Sequence, residues 1–440
     1  MTGDVRRAGA FLGVGALSLL APALVGRTDP IVAAAGTVGP FGIVAGAALA
    51  TTNGPGFELF ARDGDREEGR LYGLAGFALA AAALGLFVVA AEMPAETFVA
   101  AIFVLTTGNF GGALAATRWT DAAKVTATFV GFGTIGGLLG LVAAGSIAGS
   151  EPEPVIGLFV AATGALAAAL LRTALFRRDD ALVVVTIALI AWLLSTLVDA
   201  PAADRVVVGL SLAVVLGVVA YGIGSASITG ALTGVPLALL TVVLGGYGWF
   251  ALLVTFFGLG SLASKFRYDE KLERGIAQAD EGARGSANVL ANSLVAVAAV
   301  VGFANGGVGG IDPELFRIAF AGAVAAALAD TFSSEFGGLY DDPRLITTLE
   351  RVDPGTDGAV TWQGAVAGIV GAGVVAGVAA ISFEYAPVTT AIVVAAGAVG
   401  MTADSLFGAT LEGELLDNQT VNLLATLVAA LFAIIAATAL

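Results

Sequence analysis

Three short stretches hold most of the residues able to do chemistry, and all lie in the second half of the 440-residue chain. In the first, Asp330 closes a run of alanines and leucines, Ser334 follows one helical turn later on the same face, and Glu335 stands beside it. In the second, Asp404 holds the matching place at the end of another apolar run. Ala403-Asp404-Ser405-Leu406 echoes Ala329-Asp330-Thr331-Phe332, with Glu412 and Asn418 in the loop beyond. A carboxylate inside a membrane helix costs on the order of a few kcal/mol, so it tends to be paired or ligated. Asp330, Glu335 and Asp404 are therefore the expected catalytic and metal-holding groups. Mg²⁺ is the expected ion, because it prefers carboxylate oxygens together with substrate phosphates. For Glu412, Glu414 and Asp417, capping and surface solvation is the stronger alternative.

The third stretch runs from Lys265 to Leu294. Lys265, Arg274 and Arg284 are its phosphate-binding candidates, since a transferring phosphoryl group needs positive charge nearby. Asn288 and Asn292 lie one turn apart and face the same way; they suit a nucleotide or a carboxylate, and equally suit interhelical hydrogen bonding. After Arg344 and Arg351 comes the turn Pro354-Gly355-Thr356-Asp357-Gly358. Such a glycine-rich turn ahead of a helix can offer backbone N–H groups to phosphate, or can be an ordinary solvated loop.

The elements that must position these groups are membrane helices. Residues are 58% apolar and only 12% charged, against about 25% charged in soluble domains. Apolar runs long enough to cross roughly 30 Å of hydrocarbon recur along the chain. The pattern predicts an all-α polytopic bundle of about fifteen spans, the pair around Gly245-Gly246-Tyr247-Gly248 being the shortest. With the N-terminus cytoplasmic, only Arg27, Arg205 and Arg317 of the twenty basic residues fall outside, and Arg177, Arg178 and the other fifteen fall inside. The protein is therefore expected to be a multi-pass cell-membrane protein whose polar loops face the cytoplasm. The opening residues imitate a signal peptide but read better as the first span. Trp119, Trp192, Trp249 and Trp362 read as an interfacial aromatic belt.

Composition also excludes. The chain has neither Cys nor His, which removes disulfides, thiolate and imidazole metal sites, Cys nucleophiles and His bases. The net charge of −15 disfavours a nucleic-acid partner. An acidic exterior with so little lysine is what very high salt demands, and suggests a halophilic archaeal source. Gly131, Gly133 and Gly136 spell a dinucleotide fingerprint but lie inside an apolar helix with no strand before them.

Taken in order, the polar segments resemble the integral membrane family DUF92. The resemblance is carried by Ser227 to Ala231, Gly245 to Gly248, Gly260 to Leu262, Arg284 with Asn288 to Asn292, Ala329 to Thr331 with Ser334-Glu335, Pro343 to Thr348, Pro354 to Gly358, Asp404 to Leu411, and Asn418 to Asn422. It spans residues 205–440, and divides the chain into an N-terminal bundle of open role, 1–200, and this domain. The family includes phytyl-phosphate kinases of chloroplasts and cyanobacteria. The resemblance implies phosphoryl transfer from a nucleoside triphosphate, CTP, to an isoprenyl monophosphate such as phytyl or geranylgeranyl phosphate. Asp330, Glu335 and Asp404 would hold Mg²⁺. Lys265, Arg274, Arg284, Asn288, Asn292, Ser334, Arg344, Thr347, Gly355, Thr356, Gly358 and Asn418 would bind nucleotide and substrate.

Two other classes stay open. Many helices, intramembrane carboxylates and a weak repeat also describe a secondary transporter, although transporter sites lie near the bilayer midplane. A lipid-binding protein without catalysis is the third reading. Oligomeric state is left open by the sequence.

Overall fold

The computed structural model describes residues 3–151, 153–174, 179–197, 202–278, 283–413 and 415–439. Arg177, Arg178 and Glu414 lie outside the described residues. Among those described, 15 helices are long and apolar enough to cross a membrane. They are α1 (Gly3–Leu24), α2 (Pro30–Ala50), α3 (Tyr72–Ala90), α4 (Ala95–Ala116), α5 (Ala122–Ala148), α6 (Pro154–Thr173), α7 (Asp180–Leu197) and α8 (Ala203–Gly222). Then come α9 (Ile228–Gly245), α10 (Tyr247–Lys265), α11 (Ser286–Ala304), α12 (Pro313–Gly337), α13 (Trp362–Phe383), α14 (Pro387–Thr410) and α15 (Asn418–Thr438). The protein is an all-α polytopic membrane bundle. A membrane span must satisfy its backbone internally, and helices do so from local bonds alone.

The chain separates into two compact units, Met1–Val206 and Val207–Leu440. In the first, α4 packs along α5, where glycines such as Gly133 and Gly137 let the two backbones close up. Asp180, at the start of α7, is buried beneath Arg62 and Arg172.

The second unit is built around α12. Asp312 caps its first turn by accepting from Glu314 N at 2.8 Å, and Pro313 fills the first helical position. Its stretch Ala319–Ala329 is buried all round, because α12 touches α10, α11, α13, α14 and α15. A helix enclosed on every side needs small residues, and seven of these eleven are alanine. α9 ends in a π-helical turn, Thr241–Gly245, and Gly246 reverses the chain at φ +98°. That reversal turns Trp249 inward. It is 1% exposed and packs 5.0 Å from Phe303 and 4.6 Å from Phe320. Trp249 therefore belongs to the core and not to an interfacial belt. Trp362, at 74% exposure, keeps the surface position expected of it.

Candidate active site

α12 and α14 lie side by side, and the carboxyl groups of Asp330 and Asp404 meet within hydrogen-bonding reach. Asp404 Oδ1 is buried with no hydrogen-bond partner. Ser334 is turned back into its own helix, bonding Asp330 O at 3.0 Å.

The loop after α12 is folded over this pair. Strands β1 (Arg344–Leu345) and β2 (Ala359–Val360) pair antiparallel, and Ile346 N reaches Gly358 O at 3.1 Å. Gly358 has φ +74°, and a Cβ there would stand 2.6 Å from Ser405 O. Only glycine lets the turn rest on the end of α14. Between turn and helices lies a cavity of about 400 Å³, lined by Asp330, Ser334, Gly355, Thr356, Gly358, Asp404 and Asn418. These are the expected residues that the structure brings together.

Glu412 and Asp357 also line this cavity, as do Tyr340 and Ser405. Burial pushes the Glu412 carboxyl above its usual range; Asp357 adds to this, and a hydrogen bond from Asn418 opposes it. Asp417 goes the other way, held down by Thr420, whose hydroxyl and amide donate to it at 2.6 and 2.9 Å.

Glu335 does not join the carboxylate pair as a third ligand. Its Oε2 accepts from Lys271 Nζ at 2.6 Å, with the two side chains 4% and 1% exposed. Lys271 also donates to Ala263 O at 2.7 Å and Ser264 O at 3.4 Å, closing the C-terminal turn of α10. Among the described residues no three acidic side chains converge closely enough to ligate one ion. Of the expected trio, Asp330 and Asp404 meet, while Glu335 Oε2 is held by the buried Lys271 and Glu335 Oε1 is left without a partner. The pair still suits Mg²⁺, which binds through one or two carboxylates plus substrate oxygens; the unpartnered Asp404 Oδ1 is an oxygen left for such a bond.

The expected cations separate. Arg284 is buried, and its backbone is clamped to the α8–α9 turn by Ser227 N to Arg284 O at 3.2 Å and Arg284 N to Ser225 O at 3.1 Å. Its guanidinium stacks 4.8 Å from the Phe256 ring. With Lys265 it lines a second, mostly apolar cavity of about 560 Å³ between α8, α9 and α10. Arg274 pairs with Asp341 at 3.1 Å. Arg344 and Thr347 are exposed outside the polar cavity, and Arg344 donates to Leu349 O at 2.7 Å. Asn292 donates to Asn288 O at 3.0 Å, while Asn288 Oδ1 is buried and unpartnered. Neither asparagine lines the polar cavity.

Sequence reasoning missed Lys271 and Ser261. Lysine scarcity, three in the whole chain, was the one signal that pointed to Lys271. Ser261 gave none.

The family profile described as Integral membrane protein DUF92 matches residues 211–430. An uncharacterized membrane protein of Methanocaldococcus jannaschii is 37% identical over 196 residues, covering 43% of this chain and 76% of that protein. Protein VTE6, chloroplastic, of Arabidopsis thaliana is 29% identical over 216 residues, covering 48% of this chain and 62% of that protein. An uncharacterized membrane protein of Synechocystis sp. is 32% identical over 207 residues, covering 44% of this chain and 76% of that protein. No solved structure matches the chain.

Proposed function

The chain belongs to the DUF92 family of integral membrane proteins, and from that premise we infer that its second unit is a phosphotransferase. In this reading it converts an isoprenyl monophosphate, phytyl or geranylgeranyl phosphate, to the diphosphate with a nucleoside triphosphate, CTP, as donor. The carrying observation is the meeting of Asp330 with Asp404 beneath the Pro354–Gly358 turn, at the rim of the polar cavity.

The chemistry asks little of the protein. An oxygen of the acceptor phosphate forms the new P–O bond, the bond from the γ-phosphorus to the β–γ bridging oxygen breaks, and the nucleoside diphosphate leaves with that electron pair. The acceptor oxygen is already anionic at neutral pH, so a base is not required and a chain without histidine loses nothing. What remains is positioning and charge neutralisation. Asp330 and Asp404 would hold Mg²⁺, which supplies charge neutralisation at the donor phosphates. The Gly355–Gly358 turn offers backbone N–H groups to the same phosphates. Arg284 neutralises charge on the acceptor side. The Lys/Arg bias of the loops supports a cytoplasmic position for this face, where the nucleotide is.

The test is purified protein with CTP, Mg²⁺ and geranylgeranyl phosphate. Asp330→Asn and Asp404→Asn should each lower diphosphate formation by at least about a hundredfold, the scale of losing a preorganised electrostatic group. Full activity in both variants eliminates the reading. Gradient-driven uptake into vesicles, without phosphorylation, would favour the transporter instead.

A further inference from the structure

The cavity between α8, α9 and α10 is apolar along its walls, which include Leu216, Val235, Ala238 and Leu253. Its polar groups are gathered at one end, where Ser261, Lys265 and Arg284 stand. From Lys265 down to Leu253 the helix rise gives a depth of roughly 18 Å. Arg284 is 7% exposed, yet its Nη1 has no hydrogen-bond partner, and neither does the buried Ser261 Oγ. Buried polar atoms are nearly always bonded, so two orphans on residues that line one apolar slot need an explanation. Burial pulls the Arg284 guanidinium down to about 10, with Glu335 and then Asp330 opposing; it stays charged at neutral pH and feels Asp330 of the polar cavity. Two wall positions are open. A Cβ at Gly234 on α9, or at Gly258 on α10, would meet nothing within 4 Å.

We propose that this slot binds the isoprenyl phosphate, with the phosphate on Arg284, Ser261 and Lys265 and the tail lying between α9 and α10 past Gly234 and Gly258. The identity of the ligand rests on the phosphotransferase reading; the slot itself rests on the unpartnered donors and the apolar walls. Charge complementarity selects the occupant. A monoanionic or dianionic phosphate matches a buried arginine with a free N–H and a nearby ammonium. Arg284 then touches the acceptor phosphate while feeling the charge of Asp330, one of the two carboxylates that would carry the donor. Gly234 and Gly258 become specificity-determining positions, because any side chain there projects into the path of the tail.

The experiment measures direct binding of geranylgeranyl phosphate to the full chain in nanodiscs, without nucleotide, for the unaltered protein, Gly258→Ala, Gly258→Leu and Gly234→Leu. The geranylgeraniol alcohol, inorganic phosphate and phosphatidylglycerol serve as competitors. Expected are a graded loss from Gly258→Ala to Gly258→Leu reaching tenfold or more, a similar loss in Gly234→Leu, CTP binding unchanged in all the glycine variants, and weak competition by each half-ligand. Geranylgeranyl phosphate binding within twofold of the unaltered protein in both leucine variants overturns the proposal. So does phosphatidylglycerol competing as well as geranylgeranyl phosphate, which would make this an annular lipid site. If the binding pattern is as expected but the unaltered chain forms no diphosphate from CTP, the slot stands and the phosphotransferase reading falls.

Discussion

Lys271 Nζ stands 2.6 Å from Glu335 Oε2, and both side chains are almost wholly withdrawn from solvent. The lysine comes from the short helix Tyr268–Glu273 and the glutamate from the last turns of α12. The same ammonium donates to the closing carbonyls of α10. One buried charge thus ties the loop after α10 to the helix that bears Asp330, with Glu335 as its anchor.

Removing one partner of such a pair leaves the other charged and buried, which costs about 3–5 kcal/mol, whereas replacing both is often close to neutral. Lys271→Met should therefore unfold well below the unaltered protein in detergent thermal scans. Lys271→Met with Glu335→Gln should recover most of the loss. A double variant as unstable as the single would show that Lys271 acts through the α10 carbonyls and not through Glu335.

Asp330 and Asp404 present the opposite situation, two carboxyls pressed together with no salt bridge to either among the described residues. If they hold Mg²⁺, adding the ion to chelator-treated protein stabilises the folded state by mass action: about 2.7 kcal/mol at a hundredfold excess over Kd. The unaltered chain should show that rise in Tm with Mg²⁺, and Asp404→Asn should lose it while being at least as stable as the unaltered chain in chelator. An equal Mg²⁺ response in Asp404→Asn would remove the pair as the ion's seat.

The fifteen spans were legible because length and apolarity are local properties that need no partner. The echo between Ala329-Asp330 and Ala403-Asp404 drew attention to two residues, but their meeting depends on α12 lying against α14, which no spacing encodes. Lys271 was illegible for the same reason. Nothing within ten residues of it signals burial, and its partner is sixty-four positions away. Trp249 was misread because an aromatic at the start of a span usually marks an interface, while here the π-helical turn and Gly246 redirect the chain. Arg344 was read from charge and proximity in sequence to Asp330; the β1–β2 pairing leaves it exposed outside the polar cavity.

That exposure gives a direct test. Neither Arg344 nor Thr347 lines the cavity, and surface changes such as Arg344→Ala and Thr347→Ala are worth within about 0.5 kcal/mol, or roughly twofold. Both should leave the KM for CTP unchanged on that scale. Gly358→Val, which forces a side chain against Ser405 and Ala409 at φ +74°, should weaken CTP binding and lower Tm together. A tenfold KM change in Arg344→Ala would show that the loop closes inward around nucleotide.

Glu412 supplies a pH dependence. Its folded-state carboxyl is raised by burial first and by Asp357 second. A raised carboxyl is protonated more readily folded than unfolded. Its penalty is absent below the ordinary glutamate range, appears as pH climbs through that range, and is complete once the folded group has ionised. Subtracting Tm curves of Glu412→Gln from those of the unaltered chain between pH 4 and 8 should give a difference near zero at the acid end. The variant should become the more stable protein as pH rises. A difference that grows instead toward acid would mean Glu412 is ionised and ligated in the fold.

The N-terminal unit carries its own buried charge cluster. Asp180, 3% exposed, receives Arg62 and Arg172, the latter at 3.1 Å, and Asn109 donates to it at 3.4 Å. Arg172 also bonds Asn109. Because one carboxylate serves two guanidinium groups, the members are not equivalent. Arg172→Gln leaves Asp180 still paired with Arg62, so it should cost about 1–3 kcal/mol, the value of a lost charged hydrogen bond. Asp180→Asn removes the carboxylate that both arginines share and should cost about 3–5 kcal/mol. Limited proteolysis of the full chain along a temperature ramp, read at sites within residues 1–206, measures that order. Equal losses in the two variants, or a larger loss in Arg172→Gln, would show that Arg62 finds its main compensation somewhere other than Asp180.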